Sequence, residues 1–159
     1  MSLATPSIRR IDGASFRIAV VAARFNEDLV DGLLVRLMAG LQASGVKASR
    51  IELHRVPGSH EVPWAVAQLA ARRRYDCVIA LGVLIGGDTN HHEMVGQSVS
   101  HALQQVAIDH GTPVINGVIV TNTRAQARAR CTGKIDRGAE FAHAALEMAA
   151  LKRQLGGKS

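Results

Sequence analysis

Apolar positions along the chain follow two rhythms that alternate from one end to the other. Near-continuous apolar runs stand at residues 16–22 (FRIAVVA), 76–85 (DCVIALGVLI) and 113–120 (PVINGVIV), with a more mixed run at 50–56 (RIELHRV). Short apolar runs bounded by turn residues predict strands, and runs apolar on both faces predict strands covered on both sides. Between them the period lengthens to that of a helix. Val30, Leu33, Leu34, Leu37 and Leu41 fall on one stripe, and Gly45 is placed to stop that helix. Pro57 and Gly58 break the second strand, and an alanine-rich helix is expected over about residues 63–73. Val95, Val99, Ala102, Leu103 and Val106 mark a third helix. Asn90 and Glu93 have capping-box spacing, which starts that helix at His91. Two last helical segments, 124–130 and 137–155, flank the joint CTGKID.

Strand and helix alternating in this way predict a three-layer α/β/α sandwich, its four-stranded sheet mainly parallel and covered by helices on both faces. The expected organisation is a flexible polar arm, residues 1–15, followed by a single domain, residues 16–159, with no repeat or linker. In such folds ligands bind beyond the carboxyl ends of the strands. Four junctions therefore matter: ARFNED, VPGSHEVP, LIGGDTNHHE and VTNTRAQ.

Composition narrows the setting. At 47% hydrophobic and 20% charged residues the chain reads as globular. No apolar run is long enough to span a membrane, and the run at residues 16–23 is too short and too far in for a secretion signal. Cys77 and Cys131 form no CxxC pair and suggest no disulfide framework, so a cytoplasmic location is expected. The net charge of +6 rests largely on arginines in ARRRY and TRAQARAR. With aromatics at 3% and no nucleic-acid-reading motif, that charge points to solvated helix faces and small anionic substrates, not to nucleic acid.

The third junction concentrates the chemistry, and three uses compete for it. A metal site is disfavoured: His91, His92 and Glu93 are consecutive, and neighbours on a helix point in different directions. A phosphate cradle fits Gly86 and Gly87, which let backbone approach a ligand, beside a helix start that favours anions and the Thr89 hydroxyl. Asp88 counts against an anion unless it turns away. A proton-transferring histidine is the third use, with His91 well placed in the first helical turn. His54, His101, His110 and His143 read as bystanders.

Taken together, ARFN (23–26), VPGSHEVP (56–63), YDCVIALGVLIGGDTNH (75–91), PVINGVIVTNTRAQARAR (113–130) and RGAEFAHAALEM (137–148) resemble the lumazine synthase family, in family order and over nearly the whole domain. The resemblance implies a flavodoxin-like sheet and a condensation of 5-amino-6-ribitylamino-uracil with 3,4-dihydroxy-2-butanone 4-phosphate, without metal or organic cofactor. Under it, Phe25 stacks on the pyrimidine. Ser59, His60 and Glu61 hold the ribityl chain, and the backbone of Val83, Leu84 and Ile85 borders the ring. Gly87, Asp88 and Thr89 take the phosphate end of the second substrate with Arg130, and His91 is the catalytic proton carrier. The implied assembly is a homo-oligomer built on pentamers, with sites between subunits and with Asn116 and Arg130 supplied by the neighbour. The alternative is a non-catalytic flavin- or lumazine-binding relative, or a shell-forming one. The chain departs from the family at Gly86, where a basic residue is usual, at Asn116, often aromatic, at His60, commonly apolar or aromatic, and at Arg137, usually lysine. Its joint CTGKID is one residue shorter than in many members.

Overall fold

A computed structural model describes Ala4 and residues 6–156. Residues 1–3 and 5 of the expected arm, and 157–159 of the expected domain, lie outside the described residues. The strands are β1 (Ile18–Ala23), β2 (Ile51–Val56), β3 (Cys77–Ile85) and β4 (Val114–Thr121). The helices are α1 (Glu27–Ala43), α2 (Val62–Ala70), α3 (His91–His110), α4 (Arg124–Cys131) and α5 (Arg137–Leu155). Short 3₁₀ turns occupy Ala48–Arg50 and Ser59–Glu61.

The sheet runs β2-β1-β3-β4. Every pairing is parallel, with Ile18 opposite both Ile51 and Cys77, and Val78 opposite Val114. Strand order reverses at β1, so the crevice between the carboxyl ends of β1 and β3 is the topological switch point. The alternation of side chains along β1 explains its unbroken apolar sequence. Ile18, Val20 and Ala22 join one core with α1 and α5, whereas Ala19, Val21 and Ala23 join the other with α2 and α3. On α1, Leu33, Leu37 and Leu41 are fully buried, each stabilising the fold by roughly 1.5–3 kcal/mol. Helix α5 closes tightly on α1 through Gly138, where an added Cβ would stand 2.7 Å from the Leu33 carbonyl oxygen.

Two local features differ from the sequence expectation. Helix α2 ends at Ala70, not near residue 73. Leu69 and Ala70 are its last buried residues, Arg73 takes a left-handed backbone (φ 54°), and Arg72 and Arg74 reach across to Glu52 on β2. Helix α3 does begin at His91, yet Asn90 makes no side-chain cap. The capping box that forms is at Thr123 and Gln126, where α4 begins. Of the arm's described residues, Ile11 packs on the core and Gly13 donates its N–H to the Ser44 carbonyl at 2.7 Å. Among the described residues, no helix is long and apolar enough to cross a membrane.

Candidate active site

The first wall of the switch-point crevice is the chain leaving β1. The N–H groups of Arg24 and Phe25 donate to the Pro57 carbonyl, at 3.2 and 3.0 Å. Asn26 then adopts a left-handed backbone (φ 56°, ψ 47°). The turn leaves the Phe25 side chain 73% exposed at a strand end, which rules out a core role within this chain. An aromatic face held in solvent beside a cavity is suited to stacking on a planar ring.

The second wall follows β2. Gly58 lies against the Phe25 ring, and a Cβ there would stand 3.1 Å from it. Glu61 accepts the Gly58 N–H through Oε2 at 2.9 Å, so one carboxylate oxygen braces the turn. Its Oε1 lies 3.8 Å from His60 Nδ1. Ser59 is buried, its Oγ has no partner, and it sits so close over β3 that a Cβ on Gly82 would fall 2.4 Å from that oxygen. Buried polar atoms ordinarily find partners, and this oxygen, closed off from solvent, has none among the described residues.

The floor is the end of β3 and the start of α3. Val83 is buried, while Leu84 and Ile85 are half-buried. The N–H of Gly86 donates to the Thr121 carbonyl at 2.8 Å, tying this turn to β4. Gly87 faces open space, and a Cβ there would meet nothing within 4 Å. His91 opens α3 with its side chain exposed. His92 is buried, its Nε2 lying 3.4 Å from Asn122 Oδ1 and its Nδ1 without a partner.

These segments close around one cavity of about 450 Å³. Of the residues expected from sequence, Phe25, Ser59, His60, Glu61, Val83, Leu84, Ile85, Gly87, Thr89 and His91 all line it. Asp88 is exposed in the same turn without lining it. Asn116 and Arg130 do not border it. Asn116 sits on β4, accepting the Val118 N–H at 3.1 Å, beside a second cavity that Arg137 and Phe141 also line. Arg130 is in the last turn of α4, donating to the Gln126 carbonyl at 3.0 Å. Asn26, Gly58, His92 and Val95 line the cavity as well and were not among the site residues expected from sequence. The signal for His92 was present: extending the Val95, Val99, Leu103 stripe back one turn lands on it. Among the described residues, no three His, Cys, Asp or Glu side chains are grouped to hold a metal ion.

A doubly wound α/β domain with an aromatic wall, a carboxylate and a glycine turn opening a helix, all around one switch-point cavity, defines a protein that handles a small planar molecule together with an anionic group. The family model for 6,7-dimethyl-8-ribityllumazine synthase matches residues 15–153. The 6,7-dimethyl-8-ribityllumazine synthase of Pyrococcus furiosus is 42% identical over 144 residues, 91% of this chain and 90% of that protein. That of Nitrosospira multiformis is 39% identical over 91% of this chain and 89% of its own, and that of Coxiella burnetii is 38% identical over 89% and 95%. The chain belongs to the 6,7-dimethyl-8-ribityllumazine synthase family.

Proposed function

We propose that this chain is a transferase that makes 6,7-dimethyl-8-ribityllumazine, condensing 5-amino-6-ribitylamino-uracil with 3,4-dihydroxy-2-butanone 4-phosphate and releasing phosphate and water. The observation that carries the reading is the convergence of three separate strand-end segments, each matched to the family, on one cavity of about 450 Å³. The pyrimidine stacks on Phe25 and runs along the backbone of Val83, Leu84 and Ile85. Ser59, His60 and Glu61 take the ribityl hydroxyls, with Glu61 Oε1 the oxygen left over from bracing the Gly58 turn. The phosphate end of the second substrate lies at Gly87, Asp88 and Thr89, where the start of α3 favours an anion.

The reaction needs little from the protein beyond placement and a proton carrier. The 5-amino group attacks the ketone, phosphate leaves, and ring closure expels water. Holding the partners together supplies roughly 7–11 kcal/mol of the barrier when the geometry is productive. His91, its side chain exposed at the cavity and without an ion pair or hydrogen bond among the described residues, gives and takes the proton. The reaction draws on no metal or organic cofactor.

The working unit is a homo-oligomer built on pentamers, in which Asn116 and Arg130 of one subunit complete the cavity of the next. Their position outside the chain's own cavity supports this reading. Residues 16–159 act as one domain behind the arm, in the cytoplasm, in keeping with two buried free cysteines. The direct test mixes the purified protein with both substrates and follows lumazine fluorescence alongside phosphate release. Product well above the uncatalysed rate is expected. Pyrimidine binding without acceleration would make the chain a non-catalytic binder.

A further inference from the structure

Residues 6–9, in the arm before β1, reach α5 and are tied to it at His143. The Arg9 N–H donates to His143 Nε2 at 3.2 Å, across 134 positions of sequence. The same nitrogen lies 3.0 Å from Glu147 Oε1, one helical turn further along α5. Both contacts cannot be satisfied at once. A backbone N–H needs a bare ring nitrogen as its acceptor, and a carboxylate needs a ring nitrogen that carries a hydrogen. A neutral imidazole can leave Nε2 bare, whereas the protonated ring carries a hydrogen on both nitrogens and accepts nothing. The arm contact therefore exists only with a neutral ring, and the Glu147 contact is the one that a charged ring strengthens.

What the arm covers gives this choice a consequence. Pro6 and Ile8 line the cavity of about 600 Å³ that also holds Asn116. The charged groups lining it are Asp136, Arg137, Glu140 and Glu147, and β4 adds only Ile115 and Asn116. Asp136 accepts the Ala139 N–H at 2.9 Å, and Arg137 pairs with Glu140, which leaves Glu147 facing His143. Carboxylates and guanidiniums ordinarily keep their charge between about pH 5 and 8, and imidazole does not. Glu147 is 39% exposed against 22% for His143, so the carboxylate has water to turn to while the ring is neutral. We propose that residues 6–9 are a proton-released strap over this cavity: neutral His143 holds it closed through the Arg9 N–H, and protonated His143 gives its Nε2–H to Glu147 and lets the strap go. The proposal stands apart from the synthase reading. Where that reading holds, the strap controls access to Asn116.

The test reads amide hydrogen exchange of the arm in the full chain by mass spectrometry, at about pH 8 and about pH 5, where imidazole changes charge. Each reading is corrected for the intrinsic exchange rate at its pH. A closed state that excludes a proton weakens by up to about tenfold per pH unit below the midpoint of the ring. Arm protection is therefore expected to fall about tenfold or more between the two conditions, while protection of β1 holds. His143→Gln and His143→Ala have no titrating ring, and in both the arm is expected to be equally protected at the two pH values. Wild-type arm protection that does not change with pH overturns the strap. A fall that persists in both variants also overturns it, because another group then drives the release. Should neither variant fold, the wild-type chain decides by NMR: the Arg9 amide and the His143 ring titrate with one midpoint, and two separate midpoints are the overturning result.

Discussion

His91 and His92, adjacent in sequence, face different surroundings: His91 is exposed at the cavity, and His92 is 9% exposed beneath it. Successive helical residues diverge by about 100°, so only one of the two joins the buried stripe of α3. The pair predicts opposite outcomes on substitution. His91→Ala lowers kcat by about 10²–10⁴-fold, the usual worth of a positioned acid or base, and leaves stability within about 0.5 kcal/mol. His92→Ala opens a cavity under α3 and lowers stability by about 1–3 kcal/mol. Lumazine fluorescence and denaturant melts on both variants check the division, and full turnover in His91→Ala would remove it from catalysis.

Arg130 offers a test of the shared site. Arg130→Ala is expected to raise the KM for the butanone phosphate about tenfold or more, since a guanidinium–phosphate contact is charge-assisted and bidentate. Mixing unfolded Arg130→Ala and His91→Ala chains and refolding them together is expected to recover activity in roughly a quarter of sites, where an intact His91 meets an intact neighbouring Arg130. Co-refolded protein no more active than the two variants apart would place both residues in one subunit's site.

Gly86 is the position where the family usually carries a basic residue. Here a Cβ would lie 2.8 Å from the Asn122 carbonyl oxygen and 3.1 Å from its Cα. These are backbone atoms that cannot swing aside, so Gly86→Arg is expected to cost about 1–3 kcal/mol through overpacking. The midpoint of a urea transition measures it, and an unshifted midpoint would mean that the turn after β4 yields freely.

Glu52 predicts a pH dependence at the sheet edge. The Tyr75 hydroxyl, then the His54 ring and the Arg74 guanidinium, hold its carboxyl down at about 2 from an ordinary 4.5. A carboxyl depressed in the folded state contributes stability above its unfolded value and loses it as pH falls from 4.5 towards 2. The side chain is 32% exposed, so solvent screening limits the contribution to about 1 kcal/mol or less. Urea transitions of wild type and Glu52→Gln are expected to differ at pH 7 and to converge near the acid end of that range. A constant difference would assign the stabilisation to neutral hydrogen bonding.

Much of this molecule was legible beforehand. All four strands and both bounds of α5 follow from apolar period and turn residues, because burial on two faces leaves an unbroken apolar run and burial on one leaves a helical stripe. Boundaries governed by local hydrogen bonds were harder to read. The Ser59–Glu61 turn depends on Glu61 bracing Gly58 three residues away, and the early end of α2 accompanies Arg72 and Arg74 reaching Glu52 across the chain. Ten residues expected at the site do share the cavity, since the strand-end rule places every junction at the same edge of the sheet.

Sequence by itself determined the class of fold, the edge of the sheet where the candidate site lies and, through motif order, the family. Those properties are carried by periodicity and by residue type at short range. Tertiary structure alone decided the orientation of individual polar groups. The Asn26 amide meets the Val83 carbonyl on β3 at 2.8 Å, and α3 turns His92 inward while leaving His91 exposed. A hydrogen bond is decided by distance and angle between groups remote in the chain, and no pattern of neighbouring residues encodes that.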